Sequence, residues 1–170
     1  MERQIVTPLP QLLFWSRSKL TEHERDDSKR GKGLFKKFHF HSYTRGCFNV
    51  YREMFYSQGR KIVPENIGQL VSENSLAFWF LDDGSLDKRF TYRLHTNSFR
   101  GREVDWLRRA LLDNFSLESA LHKTISPESD RGFFIYVGAK SGKKLHDIVK
   151  LLVGKGLPFF YYKLSKPRND

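Results

Sequence analysis

The sequence predicts an α+β protein in which an antiparallel β-sheet is backed by helices. Three observations predict this class. Apolar and polar residues alternate in short segments, as in half-buried strands, for example over residues 90–97. Apolar residues recur at helical spacing in the segments between them, for example over residues 102–114 and 141–153. Turn residues separate neighbouring strand segments, which favours antiparallel hairpins.

Composition limits what the chain can do. Its 170 residues make one domain or one and a half small ones, and a hydrophobic fraction of 39% is ample for a packed core. The formal net charge of +11 favours a polyanionic partner, with nucleic acid first among them, although a merely soluble basic protein also fits. The single cysteine, Cys47, excludes an internal disulfide framework and a Cys-rich zinc site. Apolar runs are too short for a membrane span.

The first part of the chain contains four predicted elements. They are a short apolar helix over 9–15, a solvated loop or hairpin tip over 17–33, a half-buried strand over 34–43 and a helix over 45–56. In the strand, Phe38 and Phe40 alternate with Lys37, His39 and His41. After Pro64, Ser72 or Asn74 can cap a helix that continues to Leu81.

The second part predicts a strand, a turn, a helix, two strands and a helix after the helix that ends at Leu81. The predicted ranges are a strand over 90–97, a helix over 102–114 with Val104, Leu107 and Leu111 on one stripe, a hairpin of 119–125 with 132–137, and a helix over 141–153.

Residues 75–85 are the segment that most directly suggests chemistry. An apolar helix, which we expect to be buried on all sides, ends in Asp82, Asp83 and Gly84. We expect Gly84 to end it in a left-handed turn. Carboxylates at a helix C-terminus oppose the macrodipole, so a cation should compensate them, and Mg²⁺ suits hard carboxylate oxygens. The alternative is that Asp82 and Asp83 only cap the following turn.

Two strand faces carry basic and amide side chains. Lys37, His39 and His41 share one, and Thr91, Arg93, His95 and Asn97 share the other. Such side chains suit recognition of base edges, and an ordinary solvated sheet face is the open alternative.

Four blocks of sequence resemble the LAGLIDADG family of homing endonucleases and intron maturases. LAFWFLDDG at 76–84 resembles the family helix in its variant LAYWFMDDG. KIVP at 61–64, LHTNSF at 94–99 and LPFFYYKL at 157–164 resemble the blocks that precede the helix, follow it and close the domain.

The resemblance implies an antiparallel sheet that forms a saddle on DNA, and Mg²⁺-dependent, site-specific DNA cleavage. In that family two such helices pack side by side, and each delivers one acid to metal ions at the scissile phosphates. The matching acid and metal ligand is Asp83, and the matching basic residues are Lys61 and Lys163. Implied nucleic-acid contacts are Lys36, Lys37, His39, His41, Arg93, His95, Asn97 and Lys123. Implied helix-interface residues are Ser75, Phe78 and Trp79.

The blocks match a complete LAGLIDADG half-domain over residues 71–170, preceded by a partial first half over residues 1–70 that lacks its motif helix. Three outcomes are open. The chain forms a homodimer through the motif helix, or it pairs with a separately encoded first half. Otherwise it has lost cleavage and binds RNA, without a metal, as a group I intron maturase or a structural component of an organellar ribosome or other ribonucleoprotein. The resemblance implies a location in an organelle, either a mitochondrion or a chloroplast, although we find no recognisable targeting peptide in the sequence.

Overall fold

The computed structural model describes residues 21–26, 34–39, 41, 43–124 and 132–165. The chain divides into two compact units, residues 1–49 and residues 50–170. The division predicted at residue 70 is based on sequence blocks, and it stays a prediction. The helix predicted over 9–15 lies outside the described residues.

A β-hairpin is the main element of the first unit. Strand β1 (Thr21–Asp26) pairs antiparallel with β2 (Leu34–His39), so that Thr21 lies opposite His39 and Asp26 opposite Leu34. The loop predicted over 17–33 is therefore wrong for residues 21–26. These residues show no apolar alternation, and their strand is defined by its pairing with β2 rather than by a local pattern. The predicted strand over 34–43 is shorter than expected, since it ends at His39.

The second unit contains most of the regular structure. A 3₁₀ turn (Gly46–Phe48) leads from the first unit into helix α1 (Asn49–Phe55). The elements that follow are the short hairpin β3 (Tyr56–Ser57) and β4 (Arg60–Lys61), α2 (Ile67–Leu70), α3 (Glu73–Asp83), β5 (Gly84–Lys88), β6 (Thr91–His95), α4 (Gly101–Phe115), β7 (Ala120–Lys123), β8 (Phe133–Val137), α5 (Ala139–Gly156), a 3₁₀ turn (Pro158–Tyr161) and α6 (Tyr162–Ser165).

Four strands form the main sheet, in the order β5-β6-β8-β7 with every neighbouring pair antiparallel. Tyr92, Leu94, Ile135 and Val137 have no solvent exposure, and they lie on the face of the sheet against which helices pack. The alternation predicted for residues 90–97 is confirmed over residues 91–95, where Thr91, Arg93 and His95 lie on the other face. The strand is shorter than predicted at both ends, because Phe90 has a left-handed backbone (φ 58°) and Asn97 lies in the turn after the strand.

Helices α3 and α5 pack against each other, and α2 packs against α4. The predicted stripe on α4 is confirmed, since Val104, Leu107 and Leu111 are all buried. The helix predicted over 141–153 is α5, with Leu145 and Val149 fully buried. Within the described ranges, no helix is both long enough and apolar enough to cross a membrane.

The expectation for Gly84 was wrong. Its backbone is extended, with φ −87° and ψ 153°, and it begins a strand (β5) that the sequence pattern did not predict. A Cβ at this position would overlap the ring and the carbonyl oxygen of Phe80. Close approach to Phe80, rather than a left-handed turn, is therefore what requires glycine here.

Candidate functional site

Helix α3 begins with a reciprocal serine cap. The backbone N–H of Ser75 donates to Oγ of Ser72 (3.3 Å), and the N–H of Ser72 donates to Oγ of Ser75 (2.7 Å). These bonds satisfy backbone donors that have no partner inside the helix. The predicted cap at Ser72 is confirmed, and the Ser75 hydroxyl is engaged in it.

Within the part of the chain that the structure describes, one face of α3 is buried and the other is exposed, contrary to the expectation of burial on all sides. Leu76, Ala77, Phe80 and Leu81 are at most 4% exposed. The opposite face is exposed at Ser75, Phe78, Asp82 and Asp83, whereas Trp79 is half-buried at its edge. Phe78 is 56% exposed, so the described part of the chain leaves a large aromatic side chain of this helix in solvent.

A lysine from the end of the chain lies at the C-terminal end of α3. Nζ of Lys163 donates to the carbonyl oxygens of Asp82 (2.9 Å) and Gly84 (3.0 Å). Its positive charge meets the negative end of the helix macrodipole and the carbonyls left without intrahelical partners. Lys163 therefore satisfies two backbone carbonyls at this helix end and places a positive charge there.

Lys61 and Asp83 line the same groove, of about 230 Å³. Trp79 and Phe99 contribute to its walls, and Nζ of Lys61 lies 5.8 Å from the centroid of the Phe99 ring. The fold thus brings Lys163 to the end of α3 that presents Asp83, and it brings Lys61, far away in sequence, to a groove that Asp83 also lines.

The carboxylates of Asp82 and Asp83 are exposed and offer hard oxygen donors of the kind that Mg²⁺ prefers. In the described part of the chain, no cluster of three or more His, Cys, Asp or Glu side chains is arranged to hold a metal ion. These carboxylate oxygens are the type of ligand that suits Mg²⁺, but one copy of the described chain supplies only some of the ligands that a site would need.

The sheet face turned away from the helices is polar along β5 and β6. Nε2 of His95 is hydrogen-bonded to Oγ of Ser85 (3.1 Å), and the guanidinium of Arg93 forms an ion pair with Asp87. The side chain of Arg93 is 35% exposed to solvent while it forms this ion pair. Both predicted contact residues on β6 therefore face solvent and are held by neighbours on β5.

An aromatic cluster on the same face was missed by sequence reasoning. The His122 ring lies 5.4 Å from the Phe134 ring and 5.2 Å from the Tyr136 ring, measured between centroids. The Arg93 guanidinium lies 5.6 Å from the Phe134 centroid, which joins this cluster to the polar part of the face. Alternation with buried Ile135 was the signal that could have placed Phe134 and Tyr136 outside.

The other predicted nucleic-acid contacts are more scattered. Asn97 is exposed in the turn after β6, and His41 is exposed after the end of β2. Lys123 is opposite Phe133 in the sheet, on the helix side, with its Nζ 5.3 Å from the Phe133 centroid. The three remaining predicted contacts lie on β2, and their side chains are outside the described part of the chain; they are Lys36, Lys37 and His39.

Comparisons with known proteins agree with this architecture. The intron-encoded endonuclease ai4 of Dictyostelium discoideum is 31% identical over 132 residues, which cover 77% of this chain and 79% of that protein. The cytochrome b mRNA maturase bI2 of Debaryomyces hansenii is 34% identical over 97 residues, which cover 57% of this chain and 36% of that protein.

A solved structure matches the fold. The homing endonuclease I-WcaI, bound to its DNA recognition sequence, superposes with a TM-score of 0.75 at 22% identity, covering 92% of this chain and 68% of that one. The predicted α+β fold of the homing-endonuclease type is confirmed. The sequence profile of the LAGLIDADG DNA endonuclease family matches residues 11–145. The chain therefore belongs to the LAGLIDADG DNA endonuclease family.

Proposed function

We propose that this protein binds nucleic acid and acts as a site-specific DNA endonuclease when α3 is paired with a second motif helix. The observation that carries the proposal is the end of α3, where two exposed carboxylates lie beside one lysine on the helix-end carbonyls and another in the adjoining groove. Intron-encoded and homing endonucleases among the similar proteins support it.

Each residue at this helix end has a proposed task. Asp83 would hold Mg²⁺, which supplies Lewis-acid polarisation of a phosphate when bound. Lys61 and Lys163 would stabilise negative charge that develops on the phosphate oxygens. The bonds of Lys163 to two carbonyls also fix the end of the helix, which keeps the carboxylate of Asp83 in a defined place.

A second helix would complete the site. The exposed face of α3, centred on Phe78, is the surface we assign to it, with Ser75 and Trp79 at its edges. The partner is a second copy of this chain or a separately encoded first half. Either would add the second acid, and a second copy would do so by symmetry.

The sheet face with Arg93 and His95 is the surface we assign to nucleic acid, since Arg and His can reach base edges and phosphates. In the first unit, we assign further nucleic-acid contacts to Lys36, Lys37, His39 and His41. Intron-encoded relatives, cytochrome b mRNA maturases among them, support a location in a mitochondrion or another organelle.

The experiment is to incubate the chain with a duplex DNA library in Mg²⁺ and to compare it with Asp83→Asn. The substitution removes a negative metal ligand and keeps the size of the side chain. We expect cutting to fall by roughly a hundredfold or more, because a group that stabilises the transition state is lost, and DNA affinity to stay nearly unchanged.

Asp113→Asn is the matched control, since Asp113 is an exposed aspartate on α4 outside the site. It should cut like the wild type. Equal cutting by wild type and Asp83→Asn would contradict the assignment of Asp83.

A second candidate function is RNA binding without cleavage, as a group I intron maturase or a structural protein of a ribonucleoprotein. It is favoured by the maturase relatives and by the aromatic rings of Phe134 and Tyr136 on the open sheet face, which suit stacking on unpaired bases. This function predicts RNA affinity that falls steeply with salt and is indifferent to Asp83→Asn. Equal RNA binding at low and high salt would exclude it.

A further inference from the structure

A cavity lined by arginines lies beside the hairpin of β3 and β4. Its volume is about 550 Å³, within the range of roughly 300–1,000 Å³ typical of small-molecule sites. Arg60, Arg100 and Arg102 line it together with Glu65, Glu103 and Trp106. We call it the arginine cavity.

Strand β4 separates the arginine cavity from the groove of Asp83. Arg60 and Lys61 are successive residues of β4, and successive side chains of a strand point to opposite sides. Accordingly Arg60 lines the arginine cavity, whereas Lys61 lines the groove that contains Asp83. The two sites are therefore distinct but adjacent.

Two ion pairs lie in the arginine cavity, and they differ in burial. Nη2 of Arg60 donates to the buried carboxylate of Glu103 (2.9 Å), which also accepts from the backbone N–H of Arg100 (2.7 Å). Among the described residues, Nη1 of Arg60 is buried without a hydrogen-bond partner. The ion pair of Glu65 with Arg102 is long (3.4 Å), and both side chains are highly exposed.

A flat stacking surface completes the cavity. The Arg102 guanidinium lies over the Trp106 ring, 5.2 Å from its centroid. Trp106 is half-buried, whereas the side chain of Arg102 is 78% exposed and can move aside or be stacked upon. Nucleobases stack on aromatic rings and on guanidinium planes, and arginines bind the phosphate that accompanies each base.

We propose that the arginine cavity binds one unpaired nucleotide of a nucleic-acid strand, with its phosphate on Arg102 and its base on the Arg102–Trp106 stack. The proposal rests on the proposed function in one respect, that the ligand is nucleic acid. The cavity would be a nucleic-acid contact that lies outside the sheet face and does not depend on Asp83. Both RNA and single-stranded DNA can supply an unpaired nucleotide.

The test is the binding of a short fluorescein-labelled oligouridine to the full chain, measured over a series of salt concentrations. Arg102→Gln should weaken binding about five- to tenfold, and it should reduce the slope of log K against log salt by roughly 0.7, the value for one phosphate contact on a single strand. The matched control is Arg109→Gln, because Arg109 is also an arginine on α4, is 73% exposed and has an ion-pair partner, Asp105. Equal effects of the two substitutions on affinity and slope would overturn the proposal.

Trp106→Phe gives a second readout. Oligouridine should quench the tryptophan fluorescence of the wild type, and most of that quenching should be lost in Trp106→Phe at saturating ligand. Thermal melts of each variant establish that it is folded. Undiminished quenching in folded Trp106→Phe would overturn the stacking assignment and with it the proposal.

Further experiments distinguish RNA, single-stranded DNA and duplex as ligands. They also separate the proposal for the cavity from the proposed nuclease function. Oligothymidine that binds with the same dependence on Arg102 would identify an unpaired nucleotide of either strand type, whereas a duplex that does so equally would contradict the proposal. Asp83→Asn should leave oligouridine binding unchanged. If Asp83→Asn abolishes cleavage and Arg102→Gln has no effect on oligouridine binding, the cavity assignment alone fails.

Discussion

At the residue scale, the pair of Tyr92 and His146 is the clearest case of electrostatics imposed by the fold. The Tyr92 hydroxyl is hydrogen-bonded to Nδ1 of His146 (2.7 Å) on the core side of the sheet. Burial, together with the negative charge of Asp147, raises the pKa of Tyr92 to about 12. Burial lowers the pKa of His146 below its usual value; Asp147 opposes this shift and Lys150 adds to it.

This pair predicts a dependence of stability on pH. Because the pKa of His146 is lower in the folded state than its ordinary value of 6.5, the unfolded chain binds a proton more readily. The stability that neutral His146 contributes is present above pH 6.5 and is lost as pH falls below it. We expect the free energy of unfolding of the wild type to decrease more steeply below about pH 6.5 than that of His146→Gln, as measured by urea unfolding.

His122→Gln is the control, since it removes a histidine from the exposed face of the sheet. Its pH profile should follow that of the wild type. A His146→Gln profile parallel to the wild type would contradict the argument.

At the element scale, the exposed face of α3 has a testable consequence. Phe78 is 56% exposed, so Phe78→Ser should change the free energy of unfolding of the isolated chain by no more than about 0.5 kcal/mol, as for other exposed positions. Pairing with a second helix would bury this ring, so the same substitution should weaken association and cutting. Sedimentation velocity, urea unfolding and the DNA cleavage assay measure the three effects.

Leu112→Ser is the matched control, because Leu112 is a large apolar residue of α4 that is 49% exposed. It should leave association and cutting unchanged. A Phe78→Ser chain that associates and cuts like the wild type would place the pairing surface elsewhere.

Elements with a strong local period could be predicted from the sequence. Helices α4 and α5 and strand β8 match their predicted ranges closely because each buries one periodic set of apolar residues. Strand β7 was predicted as the hairpin partner of β8, and no residue of it is fully buried. Strands β1 and β5 were missed, since TEHERD and GSLDK carry no such alternation and become strands only by pairing with β2 and β6. Tertiary pairing overrides local propensity in such cases.

In the candidate site, too, some residues could be predicted from the sequence and others could not. Asp82 and Asp83 could be located from the sequence because they end an apolar helix. The approach of Lys163 to that helix end came only from the family resemblance, since the residues are far apart in sequence. The arginine cavity has no local signal at all, because its arginines come from β4 and from the start of α4.

At the scale of the whole molecule, two properties determine the proposed binding and cleavage. They are the net positive charge and a proposed site that one copy of the described chain supplies only in part. A net charge of +11 favours association with any polyanion, so binding alone cannot distinguish the candidate functions. Cleavage can distinguish them, because the site we propose needs two acids, and the described residues present the end of a single motif helix.

The most direct measurement is the rate of duplex DNA cutting in Mg²⁺ by mixtures of wild-type and Asp83→Asn chains. The total protein concentration is fixed, and the fraction of wild-type chain is varied. If two copies share one site, each site needs an intact Asp83 from both, so double-strand cutting should fall as the square of the wild-type fraction. A linear decrease would contradict the shared site, because it would mean that each chain cuts on its own.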